Sequence, residues 1–409
     1  MRFSFQRLGR YWTPARAFAV VLLAALAMER AAYASEGLLL LGDDPIRVGR
    51  AGAAVASPGN ASCITLNPAG MVDLERRADF DMSVVRYRLA LRSKGIAQIP
   101  FAGEMTDHEL QGLPSVGIVW PREDGALGLS LHVPVGAMVH FPRPRTWVGI
   151  LEGGTDHNLE FAQPRLTLAY AHKFDSAWAV GVSFSGSISA GRTDQMTPLL
   201  LPTRGNNEWD YVFGAGAGIG VYRAGERWSF GAAVESRQWS QVFDKYRDIS
   251  SYAVDLPTTA QTGLACRITP ALQVELDYRF INWSDVKFFH EDNAHQGLGW
   301  RDQHGVMCGI EWQATRRWTF RAGYSHMTPA VGDDHVFGTA LAPLMVTDHV
   351  AAGFTRVLND RSELHVTLAH WFERQQTDDG TGDLYSHLGK GSQCSVRAEW
   401  LTLGYSLKF

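Results

Sequence analysis

The chain has 409 residues, a formal net charge of −4 and a mean hydropathy of −0.12. No basic patch points to nucleic acid, so none is expected as a partner. The four cysteines, Cys63, Cys266, Cys308 and Cys394, match no zinc or C-x-x-C spacing and read as unpaired packed side chains, and neither a metal nor a cofactor is implied.

Residues 1–16 carry Arg2, Arg7, Arg10 and Arg16 and no acid. The apolar run 17–28 follows, and then an A-x-A site at Ala32-Tyr33-Ala34. Residues 1–34 therefore read as a secretory signal peptide, cleaved after Ala34. The run is too short for a spanning helix, which needs about 20 apolar residues, and no later segment comes close.

Residues 35–79 begin with the leucines Leu38, Leu39, Leu40 and Leu41. They continue through Gly49-Arg50-Ala51 and a run of small residues to Asn67-Pro68-Ala69. Asn67 can cap, and Pro68 can open, a short helix leading toward Asp73 and Leu74.

From residue 80 the chain has a period of two. In 272–280, Leu272, Val274, Leu276, Tyr278 and Phe280 share one face, and Gln273, Glu275, Asp277 and Arg279 share the other. Fourteen such segments are expected, at 80–92, 115–121, 127–139, 164–174, 177–190, 208–222, 227–240, 258–267, 271–283, 303–313, 317–326, 346–356, 362–373 and 398–409. Short connections alternate with long ones at 93–114, 140–163, 191–207, 241–257, 284–302, 327–345 and 374–397. Strict short–long alternation is the mark of an outer-membrane barrel, with tight turns on the periplasmic side and loops outside. The expected fold is all-β: a 14-stranded antiparallel transmembrane β-barrel over 80–409, with residues 35–79 as a plug inside its lumen.

Trp120, Trp178, Trp228, Trp312 and Trp318 each sit beside a short turn on the apolar phase, as an interfacial girdle requires. The last segment alternates to a terminal Phe409 and resembles the signal read by the barrel-assembly machinery. Closure by this strand matters because an unpaired edge in lipid leaves backbone groups without partners. In the first strand the apolar phase flips between Val84 and Val85, which predicts a β-bulge. In 211–221 four glycines, Gly214, Gly216, Gly218 and Gly220, fall on the lumen face and leave room for curvature or a passage.

The stretch from Leu41 to Met71, with Gly49-Arg50-Ala51, Ala61-Ser62 and Asn67-Pro68-Ala69, resembles the N-terminal region of the FadL-type outer-membrane transporters for long-chain fatty acids and other hydrophobic compounds (OMPP1/FadL/TodX). Two further blocks are similar. One is Leu256-Pro257, Gly263, Asp277 and Asn282-Trp283-Ser284; the other is Trp300-Arg301-Asp302, Gly309 and the run from Trp318 to Tyr324. The resemblance implies capture of apolar ligands at outer loops, an internal pocket, a gate at the mature N-terminus and a sideways exit at a kinked third strand.

It also implies a bacterial outer-membrane location and contact with outer-membrane lipid and lipopolysaccharide. Candidate ligand and gate residues are Leu38–Leu41, Met196, Leu199, Leu200 and Leu201 in one loop, and Phe243 and Tyr246 in another. Lys245 and Arg247 are available there to a carboxylate. Pro134 and Gly136 are candidates for the lateral opening, because Pro removes a ladder bond. No residue pattern fixes an anionic ligand site, so fatty acid and hydrocarbon both stand. The alternative is a general porin or adhesin-type barrel without hydrophobic-ligand specificity. An enzyme is not expected, since no G-x-S-x-G occurs.

Overall fold

The computed structural model describes residues 39–93, 103–107, 110–141, 157–193, 207–247, 249–292, 296–339, 342 and 345–409. The signal peptide expected over 1–34 lies outside them. The wall strands, in chain order, are β1 (Arg77–Ser93), β2 (Gly103–Asp107 and Leu110–Arg122), β3 (Gly125–His132 and Gly136–Phe141), β4 (His157–Ala162 and Arg165–Lys173), β5 (Trp178–Thr193), β6 (Asp210–Arg223), β7 (Trp228–Glu235 and Trp239–Ser240), β8 (Thr258–Thr269), β9 (Leu272–Asn282), β10 (Gln303–Gln313), β11 (Trp318–Met327), β12 (Asp348–Asn359), β13 (Ser362–Thr377) and β14 (Gln393–Lys408). Each pairs antiparallel with its sequence neighbours, and β1 pairs with β14 from Arg77 opposite Lys408 to Arg92 opposite Gln393. The sheet is a closed 14-stranded barrel, its first and last strands paired with each other.

The two faces differ as lipid outside and a filled lumen inside require. Phe80, Leu168, Phe184, Phe213, Ile219, Leu276 and Leu368 are exposed on the outer face. Asp79, Ser83, Ser185, Gln261, Glu275, Asp277 and Thr367 are buried on the inner face. The tryptophans beside the short turns face outward; Trp318 stacks on Phe320 at 6.1 Å, and Arg356 lies 5.3 Å from its ring. All four cysteines are unpaired.

The expected bulge in β1 is absent. Its ladders to β2 and β14 run unbroken through Val84 and Val85. The apolar phase changes because the surroundings change. Val85, Leu89 and Leu91 are buried inside the barrel, while Arg86 and Arg92 are exposed outside. At the loop end the strand outgrows the apolar band, so its outer face is polar and its inner face apolar. A register shift does occur between Trp371 and Arg374 of β13. The segment 374–397 is not all loop either: β13 runs to Thr377 and β14 begins at Gln393, five residues before the expected 398.

Residues ahead of β1 fold inside the ring. Helix α1 (Pro45–Gly49) starts with Pro at its first turn, and Asp44 caps it, accepting from Ile46 N at 2.8 Å and Arg47 N at 3.0 Å. Helix α2 (Cys63–Leu66) and a 3-10 turn (Pro68–Asp73) follow. Pro68 opens that turn, but the Asn67 side chain does not cap it. Its Nδ2 instead donates to Val55 O at 3.0 Å and to Val221 O of β6 at 3.1 Å. Asn67 is a strut between two parts of the segment and the wall.

Glycines admit this filling. A Cβ at Gly181 would overlap the backbone of Pro68 and Ala69, at Gly231 the Val55 carbonyl, and at Gly323 the backbone of Arg50. Among the lumen-facing glycines of β6, Gly220 is used the same way, by Asn67, while Gly216 makes room for the wall residue Gln238. They are contact points, not an open passage. Gly231→Val is expected to destabilise the folded protein by roughly 1–3 kcal/mol through overpacking, read from its denaturant midpoint in detergent. Gly186→Ala, where an added Cβ meets nothing within 4 Å, should be close to neutral.

Candidate functional site

Two carboxylates of β9 hold the inner segment in place. Glu275 and Asp277 lie two apart on the lumen face and are both about 1% exposed. Asp277 Oδ2 accepts from Ala54 N at 2.9 Å, Val55 N at 3.0 Å and Gln261 Nε2 at 2.8 Å. Glu275 Oε1 accepts from Ala56 N at 2.7 Å, and its Oε2 accepts from Ser57 Oγ and from Arg50 Nη1. Arg50 also donates to Ser57 O at 3.0 Å. The loop 54–57 thus presents three successive backbone N–H groups to two charges, which explains its small residues. Two further ties exist: Asp79 accepts from Ala61 N at 2.7 Å, and Thr367 donates to Pro45 O at 2.7 Å.

Gly49 packs against the Thr367 hydroxyl, and Ala69 is fully buried beside Gly181. Arg50, Asn67, Pro68 and Ala69 of the plug motif are therefore wall contacts. Burial pushes the carboxyls of Asp43 and Asp44 above the usual carboxylate range; Arg47 offsets this for Asp43, and the Asp43 charge adds to it for Asp44.

The wall is interrupted at β3. Its ladder to β2 ends at Ser115 opposite His132, and above that point no ladder joins β3 to β2 among the described residues. Its ladder to β4 skips from His132–Arg165 to Gly136–Ala162. Pro134 sits in the break and has no N–H to give. The inner segment takes the empty edge: Leu39 forms a bridge with Val135, and Leu40 N donates to Pro134 O at 3.2 Å. Leu39 and Leu41 are buried. Gly136 lies against Gln111 and Leu113 of β2, whose side chains would collide with a Cβ there. Behind the break is a cavity of about 60 Å³ whose lining includes Leu39, Leu40, Pro134, Arg165, Glu235 and Leu256.

A second cavity, of about 80 Å³, opens at the loop end. Its lining is mainly apolar and aromatic, including Phe161, Phe243, Tyr246, Tyr252, Phe288 and Phe289. The Phe161 and Phe243 rings meet edge to face at 6.4 Å. Tyr246 is fixed by donating its hydroxyl to Glu208 O at 2.5 Å. The charged lining residues Glu160 and Arg192 are paired with each other. Lys245 does not reach inward for a carboxylate: its Nζ donates to Glu208 Oε2 and Trp209 O, both at 3.0 Å. Arg247 is bound to Asp244 at 2.8 Å. Leu38, Met196, Leu199, Leu200 and Leu201 lie outside the described residues.

One cluster of buried apolar side chains holds residues of both regions: Phe243, Tyr246 and Phe289 of the loop-end cavity, Leu39, Leu41 and Val135 at the break, and Leu89 and Leu113 of the wall. Sequence patterning assigned Glu275 and Asp277 only to a polar face. The legible signal was two acids at i and i+2 on a face meant to enclose a segment of small residues.

Residues 245–409 match the family model described as outer membrane protein transport protein (OMPP1/FadL/TodX). A search of curated proteins finds no match. Among solved structures, the chain is similar to a Pseudomonas aeruginosa FadL homologue at 15% identity and a TM-score of 0.68, covering 91% of this chain and 100% of that one. It is also similar to the P. putida toluene transporter TodX at 12% identity and a TM-score of 0.68, over 90% and 99% of the two chains. The CymD monoaromatic hydrocarbon channel follows at 14% and 0.62, over 90% and 98%. At such identities the likeness is one of fold, and it extends over the whole described barrel. Residues 245–409 thus carry the match to the outer membrane protein transport family (OMPP1/FadL/TodX), the fold of such channels extends through the rest of the described barrel, and the protein is placed in the bacterial outer membrane.

Proposed function

We propose that the protein is a passive channel that takes long-chain fatty acids or related hydrophobic compounds across the outer membrane. Ligand is captured at the loop-end cavity and passes along the apolar cluster. Leu39–Leu41 gate the space behind β3, and the ligand leaves sideways into the membrane at Pro134–Gly136. The observation that carries this reading is the single cluster of buried apolar side chains that includes both the aromatic pocket and the break in the wall.

An apolar solute crosses acyl chains readily but not the hydrated sugars outside them. A channel serving it needs greasy stations and a sideways door, not a wide aqueous pore. Solved structures of like fold include a toluene transporter and a monoaromatic hydrocarbon channel, which supports the hydrophobic class. Within that class, the loop-end pocket suits an uncharged solute, because its acid and base neutralise each other and Lys245 and Arg247 are engaged elsewhere.

Two measurements test this. Native mass spectrometry of the purified protein should find an apolar compound retained. Liposomes carrying the protein should not swell in small sugars; efficient sugar flux would instead support a general porin.

A further inference from the structure

The outer face of the barrel carries a second feature that hydrophobic transport does not use. Along β14 the outward residues are Leu407, Tyr405, Leu403 and Leu401, then Glu399 and Arg397. Along β1 they are Phe80, Met82 and Val84, then Arg86, Arg88 and Arg92. A strand climbs about 3.4 Å per residue at a tilt of about 40°, so Leu401 stands roughly 20 Å above the turn-end Phe409. The apolar band of about 25 Å therefore ends near Glu399, and the arginines lie at the outer-leaflet headgroups.

Two of these arginines face each other directly: Arg88 is opposite Arg397 in the β1–β14 ladder. Like charges directly opposite on one face of a sheet repel. Only one of them has a protein counter-charge, and a distant one: Arg397 Nη1 is 3.9 Å from Glu373. Arg88 makes no ion pair among the described residues. The Nε atoms of both are shielded from water without a hydrogen-bond partner. A polar cavity of about 50 Å³, lined by Arg88, Arg92, Glu373, Gln375 and Gln393, lies beside them. A buried donor left unpaired is costly, and two facing cations that share one distant carboxylate are more so.

We infer that Arg88 and Arg397 form a binding site for a phosphate group of lipopolysaccharide in the outer leaflet. A phosphate set between the two guanidiniums removes their repulsion and gives both cations a shared anionic partner. The site sits across the β1–β14 seam, where the first and last strands close the barrel, so an anion there clamps the closure.

The test uses full-length protein purified in detergent and freed of lipid, with the double variant Arg88→Gln/Arg397→Gln. Purified lipopolysaccharide should raise the unfolding temperature of the wild type, and bind it about 30-fold more tightly than the variant for two lost surface cations. Without lipopolysaccharide the variant should be at least as heat-stable as the wild type, because the repulsion is gone. That change of sign separates the site from mere damage to the wall. Lipopolysaccharide stripped of its lipid-anchor phosphates should stabilise the wild type less. The inference fails if the variant binds lipopolysaccharide as well as the wild type does, if stripped lipopolysaccharide stabilises equally, or if inorganic phosphate alone gives the full effect.

Discussion

Replacing Glu275 and Asp277 with alanine is expected to raise the passage of small sugars through the barrel. These two side chains take three consecutive backbone N–H groups of the loop 54–57, together with Arg50 and Ser57. Hydrogen bonds to a charged group contribute about 1.5–3 kcal/mol each, and removing one side of a buried ionic network costs roughly 3–5 kcal/mol. The loss falls on the seating of the inner segment rather than on the wall, whose ladders at β8, β9 and β10 involve only backbone. A loss of 3–5 kcal/mol shifts the seated-to-unseated ratio by about two to four orders of magnitude. Liposome swelling should therefore rise sharply in the variant while the barrel stays folded on heating in detergent. If the variant stays sealed, these carboxylates do not hold the plug. Glu275→Gln with Asp277→Asn keeps the acceptors and removes the charge, so it should leak less.

Deleting residues 35–41 is expected to change uptake of apolar compounds several-fold while leaving the heat stability of the barrel intact. The described part of that stretch meets the wall through one bridge, Leu39 with Val135, and one bond, Leu40 N to Pro134 O. One backbone hydrogen bond contributes about 1 kcal/mol, and the buried Leu39 and Leu41 side chains pack inside the lumen, so their loss falls on the seating of the inner segment and leaves the wall ladders in place. Yet Leu39 and Leu40 line the cavity behind Pro134, so their removal leaves it open toward the break. The check is the rate of uptake of a labelled apolar compound, with the unfolding temperature measured alongside. Unchanged uptake would remove the gate from the account.

The wall was legible from period-two patterning because each strand has lipid on one side and a packed lumen on the other, and that contrast is written residue by residue. It failed at the loop end for the same reason. Beyond the membrane the contrast reverses, so Val85, Leu89 and Leu91 imitate a bulge in β1 and the early start of β14 is hidden behind Arg397 and Glu399. Asn67 and Pro68 were readable as a helix start, but whether an Asn side chain caps its own turn or braces a wall 154 residues away is a tertiary choice. Phe243 and Tyr246 were visible as apolar residues in a polar loop. Their convergence with Phe161, Phe288 and Phe289 depends on the barrel mouth and could not be read from spacing. Lys245 and Arg247 were misleading, since both find carboxylates of the protein: Lys245 meets Glu208, far off in sequence, and Arg247 meets Asp244, three residues before it.

The central claim is that the barrel carries apolar solutes, and whole-cell uptake tests it most directly. Cells lacking their own channel of this kind would be given the gene, and entry of a radiolabelled uncharged apolar compound followed over seconds to minutes. The account predicts uptake clearly faster than in cells carrying an empty vector. Equal rates with and without the protein would contradict it.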